Sequence, residues 1–256
     1  MKRKNGSILQ PLSILLILLI LWISACHLKI WTDYLLPSPI KVLHSFWKMI
    51  LTGELFLDIA ISLRRVLIGF CIAFIFASLL GVLSSLKPTW SGYYHFLVQF
   101  MRNVPPLSLV ALLILWYGIG ETSKIIIIIL ASFFPMFLNI SKGFSQCDQK
   151  LLDVGISLGL TKKELFFRII LPNALSDILV GMRIGLGYSW RAIIGAEMIA
   201  ASTGLGHMIL YAQQMSRSDK VIVGILMIGS VGYACDRIFA YLIRKILKGE
   251  SKNVWT

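Results

Sequence analysis

The stretch Asp153–Pro172, DVGISLGLTKKELFFRIILP, decides how the rest of the chain is arranged. Residues 148–158 read as a helix, which Gly159 then breaks. Thr161-Lys162-Lys163-Glu164 fits the capping box S/T-x-x-E/Q, in which the Thr161 hydroxyl accepts an N–H of the new helix while Glu164 reaches back. The pattern predicts a second, amphipathic helix over Lys162–Leu171, ending before Pro172, because proline lacks the N–H a helix interior needs. The result is a helical hairpin inside the segment Ser141–Ser176. Leu165, Phe166, Phe167, Ile169 and Ile170 then face either the chain's own helix ends or a soluble partner. The pattern alone leaves both open.

Outward from the hairpin the sequence is overwhelmingly apolar. Of 256 residues, 57% are hydrophobic and only 14% charged, against about 45–50% and about 25% in ordinary soluble domains. Mean hydropathy is +0.80. A soluble fold of this length cannot hide so much apolar surface, so part of its solvent is lipid. Six stretches are apolar enough to cross a bilayer: Ile8–Ala25, Val66–Leu86, Phe96–Trp116, Lys124–Ile140, Ile178–Ala200 and Val221–Ile243. Pro105-Pro106 predicts a kink or break in the third. The fold class is therefore an all-α membrane protein with six transmembrane helices.

The net charge of +13 sits in short segments between the apolar runs, the habit of cytoplasmic loops, and does not point to nucleic acid. With the N-terminus inside, the inner segments hold fourteen Lys and Arg, from Lys2, Arg3 and Lys4 through the hairpin to Lys248 and Lys252. The outer ones hold six, or eight with Arg64 and Arg65. Both termini are expected to be cytoplasmic, with Arg64-Arg65 snorkelling at the outer end of the second span. The ending Ile23-Ser24-Ala25-Cys26 also resembles a lipoprotein signal, but five further spans follow it. After Leu36-Pro37-Ser38-Pro39, residues Ile40, Leu43, Phe46, Trp47 and Ile50 mark an amphipathic helix along the outer face. The segments are thus 1–58, an N-terminal span and external helix; 59–245, a core of five spans containing the loop 141–176; and 246–256, a basic tail. The four cysteines and four histidines are scattered, with no metal-like spacing.

Charged residues inside spans usually face a bundle interior. The fifth span holds Arg183, Arg191 and Glu197. They line a polar passage, with Arg191 meeting an anion, or else Arg183 snorkels inward, Glu197 sits at the outer surface and only Arg191 needs a partner. Asp236-Arg237, with Tyr233, reads as a local ion pair or inner anchor, and Gly204-Leu205-Gly206 as a flexible outer turn.

The hairpin resembles the EAA loop of ABC-importer permeases, E-A-A, three residues, G, nine residues, I, one residue, L-P. Gly159, Ile169, Leu171 and Pro172 fall in register, while Asp153-Val154-Gly155 stands where the family has Glu-Ala-Ala. The likeness extends over about residues 35–245. Arg102-Asn103-Val104-Pro105-Pro106, Trp116-Tyr117-Gly118-Ile119-Gly120, Gly181-Met182-Arg183 and Ala196-Glu197-Met198 look like the nitrate/sulfonate/taurine branch. The resemblance implies a type I importer bundle in a bacterial inner membrane, with Asp153, Gly155, Gly159, Ile169, Leu171 and Pro172 coupling it to an ATPase. It implies a second permease copy, two ATP-binding subunits, an external binding protein delivering a small anion, and no cofactor in this chain, with ATP and Mg on the partner subunits. A thiamine-pyrimidine precursor or another small nutrient is the alternative cargo. None of the twenty glycines is followed by Lys, so the chain has no phosphate-binding loop of its own. A secondary carrier or channel would call for inverted repeats or several buried carboxylates, and a membrane enzyme for a catalytic cluster; the sequence has neither.

Overall fold

A computed structural model describes residues 9–86 and 91–247. All regular structure among them is helical. Four helices are long and apolar enough to cross a membrane: Glu54–Ser85, Glu121–Ser145, Lys162–Ala200 and Ser218–Ile246. In chain order the elements are α1 (Leu9–His27), α2 (Pro39–Leu51), α3 (Glu54–Leu86), α4 (Ser91–Asn103), α5 (Val110–Tyr117), α6 (Glu121–Ser145), α7 (Gln149–Ser157), α8 (Lys162–Leu165), α9 (Leu171–Ala200), α10 (Leu205–Gln214) and α11 (Ser218–Ile246). Lys2, Arg3, Lys4, Lys87, Lys248 and Lys252, used in the orientation argument, lie outside the described residues.

Two boundaries differ from the sequence reading. The second span begins at Glu54, not Val66, because Gly53, at φ 75°, turns the chain out of α2 straight into a 33-residue helix. Arg65 is therefore inside α3 rather than at its end. The second correction concerns Pro172, which does not end a helix. The helix runs on from Lys162 to Ala200 through a π-turn, Phe166–Ile170, where the Leu171 N–H bonds to the Phe166 carbonyl. The wider turn takes up the missing N–H and the ring that would otherwise strike the Arg168 carbonyl.

The third apolar segment is broken, as Pro105-Pro106 predicts. Phe96–Asn103 and Pro106–Tyr117 meet at 83°. It leads from one end of the α3–α6 pair to the other, because those two helices are parallel. A Cβ on Gly69 would lie 2.6 Å from Ile128, and one on Gly81 would lie 2.6 Å from Ile140, so the register advances equally along both helices. Leu86 leaves at one end of that pair and Glu121 enters at the other. α9 runs antiparallel to α6, Gly143 approaching Ala174 and Asp177 while Gly181 approaches Met136 and Asn139. α11 runs antiparallel to α9, with Arg183 against Asp236 and Trp190 donating to the Ile228 carbonyl at 3.1 Å.

The core lies where α6 packs against α3 and α9. Ile127, Ile128, Met136 and Ile140 are fully buried there, with Ala73 and Ala77 of α3 and Ala196 of α9 facing them. Lipid tails are as apolar as these side chains, so close packing rather than escape from solvent holds the helices together, which is why small residues stand at the contacts. α1 is exposed all round from Ile14 to Leu21 and is tied down by Trp22, whose indole donates to the Pro37 carbonyl at 3.1 Å. α2 buries Val42, Ser45 and Met49, whereas of the apolar residues read from its sequence Ile40, Leu43 and Trp47 are exposed and Phe46 and Ile50 half-buried.

Candidate functional site

At the end of the bundle where α6 stops and α9 starts, the hairpin is assembled from local rules. The Asp148 side chain accepts from the Lys150 N–H and caps α7. At its other end Gly159 has φ 76°. The Leu160 N–H bonds to the Gly155 carbonyl at 3.1 Å and the Gly159 N–H to the Ile156 carbonyl at 2.9 Å, the paired bonds of a Schellman stop. Two residues on, the capping box is complete: the Glu164 N–H donates to Thr161 Oγ1 at 3.3 Å and the Thr161 N–H to Glu164 Oε2 at 3.0 Å. Gly155 is buried against the second arm, and a Cβ there would lie 2.6 Å from both Ile169 Cδ1 and Leu165 Cδ2.

The exposed apolar residues are not the expected ones. Leu165 and Ile169 close on Gly155, and Phe166 stacks on Phe144 with ring centroids 5.9 Å apart. Of the five residues only Phe167 is exposed, joined by Leu151, Val154 and Ile156 of α7 and by Leu158 at its C-terminal cap. The second arm packs on the bundle, while α7 leaves its apolar residues exposed. Asp153 is exposed and accepts from Gln149 Nε2 at 3.1 Å. Leu171 and Pro172 form the first turn of α9.

Halfway along α9, one face is open. Ile184, Gly187, Tyr188 and Arg191 are exposed at helical spacing. They border a cavity of about 440 Å³ that adjoins one of about 370 Å³, both lined by Arg183, Gly187, Arg191 and Asp236. Arg183 makes a two-pronged pair with Asp236 of α11, Nε and Nη2 each 2.7 Å from a carboxylate oxygen. Asp236 is therefore an interhelical partner rather than a local mate of Arg237, whose Nε donates to the Tyr233 hydroxyl at 2.7 Å. Arg191 has its guanidinium 5.9 Å from the centroid of the Tyr188 ring, and no carboxylate pairs with it among the described residues.

Glu197, the third charge of the span, is placed apart from this groove. It is fully buried and accepts from Arg65 Nη1 and the Ser62 hydroxyl, each at 2.8 Å, and from the Gly206 N–H at 3.0 Å. Arg65, 4% exposed, also pairs with Glu121 at 2.7 Å and donates to the Thr203 carbonyl. Lys124 reaches the same Glu121 at 2.7 Å. The pair Arg64-Arg65 does not snorkel together: Arg64 is exposed while Arg65 is a buried junction of α3, α6 and α9. Nor is Gly204-Leu205-Gly206 flexible. Its three N–H groups donate to Asp58, Ser62 and Glu197, the start of α10 clamped by side chains of α3 and α9. Sequence reasoning missed Arg65, Ser62, Glu121 and Asp236 as partners. The one available signal was the cost of charge in a span, which demands a mate without saying which.

Apolar helices packed around a charged groove, with a capped hairpin at one end, define an integral-membrane transport subunit. The model of the family described as binding-protein-dependent transport system inner membrane component matches residues 69–248, and the chain belongs to that family. It is a membrane-spanning permease subunit of ATP-driven importer type. It is 34% identical over 246 residues to the putative aliphatic sulfonates transport permease protein SsuC of Bacillus subtilis, covering 96% of this chain and 89% of that one. It is 33% identical to the taurine transport system permease protein TauC of Escherichia coli, covering 91% and 86%. In fold it is similar to a chain in the crystal structure of an amino acid ABC transporter with histidines, at a TM-score of 0.63 and 15% identity, covering 79% of this chain and 97% of that one.

Proposed function

We propose that this permease passes a small solute with an anionic group, such as a sulfonate, taurine or nitrate, delivered by an external binding protein, through the groove between α9 and α11. Arg191 carries the reading: it is an exposed cation at mid-span, and a charge in that position faces water or a partner rather than lipid. The names of the relatives, which speak of aliphatic sulfonates and of taurine, agree with a cargo that carries an anionic sulfonate group. Two copies would bring their open α9 faces together around the path. Two ATP-binding subunits, which would hold the ATP and Mg, would dock on α7 through Leu151, Val154, Ile156 and Leu158, with Asp153 at the edge of the contact. Gly155, Gly159, Ile169, Leu171 and Pro172 would make the hairpin rigid enough to move α9 as a lever. The four long helices, the bent pair and α1 would make six passes, both termini cytoplasmic. Arg183 belongs to the path as one half of its pair with Asp236. Glu197 serves the same path indirectly, by fixing its outer rim.

The test is uptake by the reconstituted importer. Arg191→Ala should lower anion transport at least tenfold, the scale of one lost charge interaction near the protein surface, while the subunits still co-purify. Wild-type uptake by that variant would remove the anionic reading and leave a neutral or cationic cargo, such as a thiamine-pyrimidine precursor. Failure to assemble would make Arg191 structural.

A further inference from the structure

The groove holds two guanidiniums and one carboxylate at two levels. Arg191 lies eight residues beyond Arg183 on the same helix, about 12 Å further from the hairpin at 1.5 Å per residue. Among the described residues its one partner is the Tyr188 ring. Arg183, nearer the hairpin, is held by both oxygens of Asp236. Neither member of that pair is sealed off, the side chains being 30% and 44% exposed. Arg237, next to Asp236 in sequence, is turned to Tyr233 and does not share the carboxylate. An anion moving toward the hairpin would therefore meet one free charge and then a second that is masked.

We propose that Asp236 is a release residue: by neutralising Arg183 it keeps the inner half of the groove from holding the anion that Arg191 has drawn in. This rests on the reading of the groove as the anion path. A permeation site must bind well enough to admit its ion and weakly enough to let it go. Two unmasked arginines in succession would make a sink. A pair serving only to tie α9 to α11 would stabilise the bundle equally without lining a cavity.

The experiment uses the complete importer in nanodiscs, with methanesulfonate as the probe and neutral dimethyl sulfone as control. Equilibrium binding and the release rate are read for Asp236→Asn, Arg183→Gln, the double variant and Arg191→Ala. Asp236→Asn should tighten methanesulfonate binding about tenfold and slow its release, since a unit charge about 12 Å away contributes on that scale at an effective dielectric near 20. Arg183→Gln, which unmasks the carboxylate, should weaken binding about threefold to tenfold. The double variant should return near wild type, and dimethyl sulfone should respond to none of them. Opposite signs in the two single variants are the signature, and either variant alone shows its sign if the other fails to assemble. Shifts of the same sign, or none while Arg191→Ala abolishes binding, overturn the release role. Unchanged binding in Arg191→Ala instead overturns the anion path itself.

Discussion

At the scale of single residues, the chain separates two kinds of charge that its sequence presents alike. Arg183, Arg191 and Glu197 all lie in one apolar stretch, yet one is paired across helices, one is open and one is entombed. Their presence in a span was legible, because charge there is costly and stands out. Their fates were not, since each is decided by a partner far away in sequence: Asp236 for Arg183, Arg65 and Ser62 for Glu197. The burial of Glu197 has a measurable consequence. Glu197→Ala would leave buried Arg65 with Glu121 as its one paired carboxylate and would release the Gly206 N–H and the Ser62 hydroxyl. Breaking a buried pair from one side costs about 3–5 kcal/mol. Glu121 has a side chain that is 58% exposed, and an exposed partner is worth about 1 kcal/mol or less. Thermal unfolding of the purified subunit should therefore show a large fall for Glu197→Ala and a small one for Glu121→Gln. Equal falls would mean that the buried carboxylate is not the keystone of this rim.

At the scale of elements, the hairpin is where sequence and structure agree most closely, because its signals are local. The stop at Gly159 and the capping box at Thr161 and Glu164 need no knowledge of the rest of the fold. What escaped the sequence was the sequel: a proline expected to end a helix is absorbed by a π-turn, since the helix continues into a span that the membrane requires. The facing of the apolar residues escaped too, because it depends on Gly155 being small enough for α7 to lie on Leu165 and Ile169. Two glycines thus support one element by different means, and substitution tells them apart. Nothing lies within 4 Å of a Cβ placed on Gly159, so only its positive φ resists a side chain. Gly159→Asn, which tolerates that conformation, should keep the ATP-binding subunits bound, while Gly159→Val should lose them. Gly155→Val should lose them as well, by prying the arms apart, and Gly155→Ala should weaken them. Co-purification of the ATP-binding subunits and substrate-stimulated hydrolysis read all four, with membrane insertion unchanged throughout. Full coupling in both valine variants would show that the hairpin does not transmit ATP-driven movement.

At the scale of the whole molecule, the apolar stretches were legible because a helix in lipid must satisfy its own backbone, so that length and hydropathy suffice to find it. Their pairing was not, for parallel α3 and α6 meet through Gly69, Gly81, Ile128 and Ile140, and no local pattern names such contacts. That parallel pairing settles how the bent segment must behave. Glu121 pairs with Arg65, in the half of α3 near Glu54, whereas Leu86 leaves from the opposite end. If α4 and α5 formed a re-entrant loop, residue 120 would emerge on the same side as residue 86, and α6 could not run beside α3 in the same direction. The parallel pairing therefore predicts that the segment crosses despite its 83° bend. Tyr93, 88% exposed, and Ile119, 76% exposed, stand near its two ends and suit a labelling test. In a variant with the four native cysteines replaced by serine, Tyr93→Cys should react with a membrane-impermeant maleimide only from the inner side. Ile119→Cys should react only from the outer side. The sense follows from the basic hairpin residues Lys150, Lys162, Lys163 and Arg168, since a segment rich in Lys and Arg is expected on the cytoplasmic side. Labelling of both positions from one side would break the parallel pairing of α3 and α6. Labelling from opposite sides in the reverse sense would keep the fold and invert the protein in its membrane.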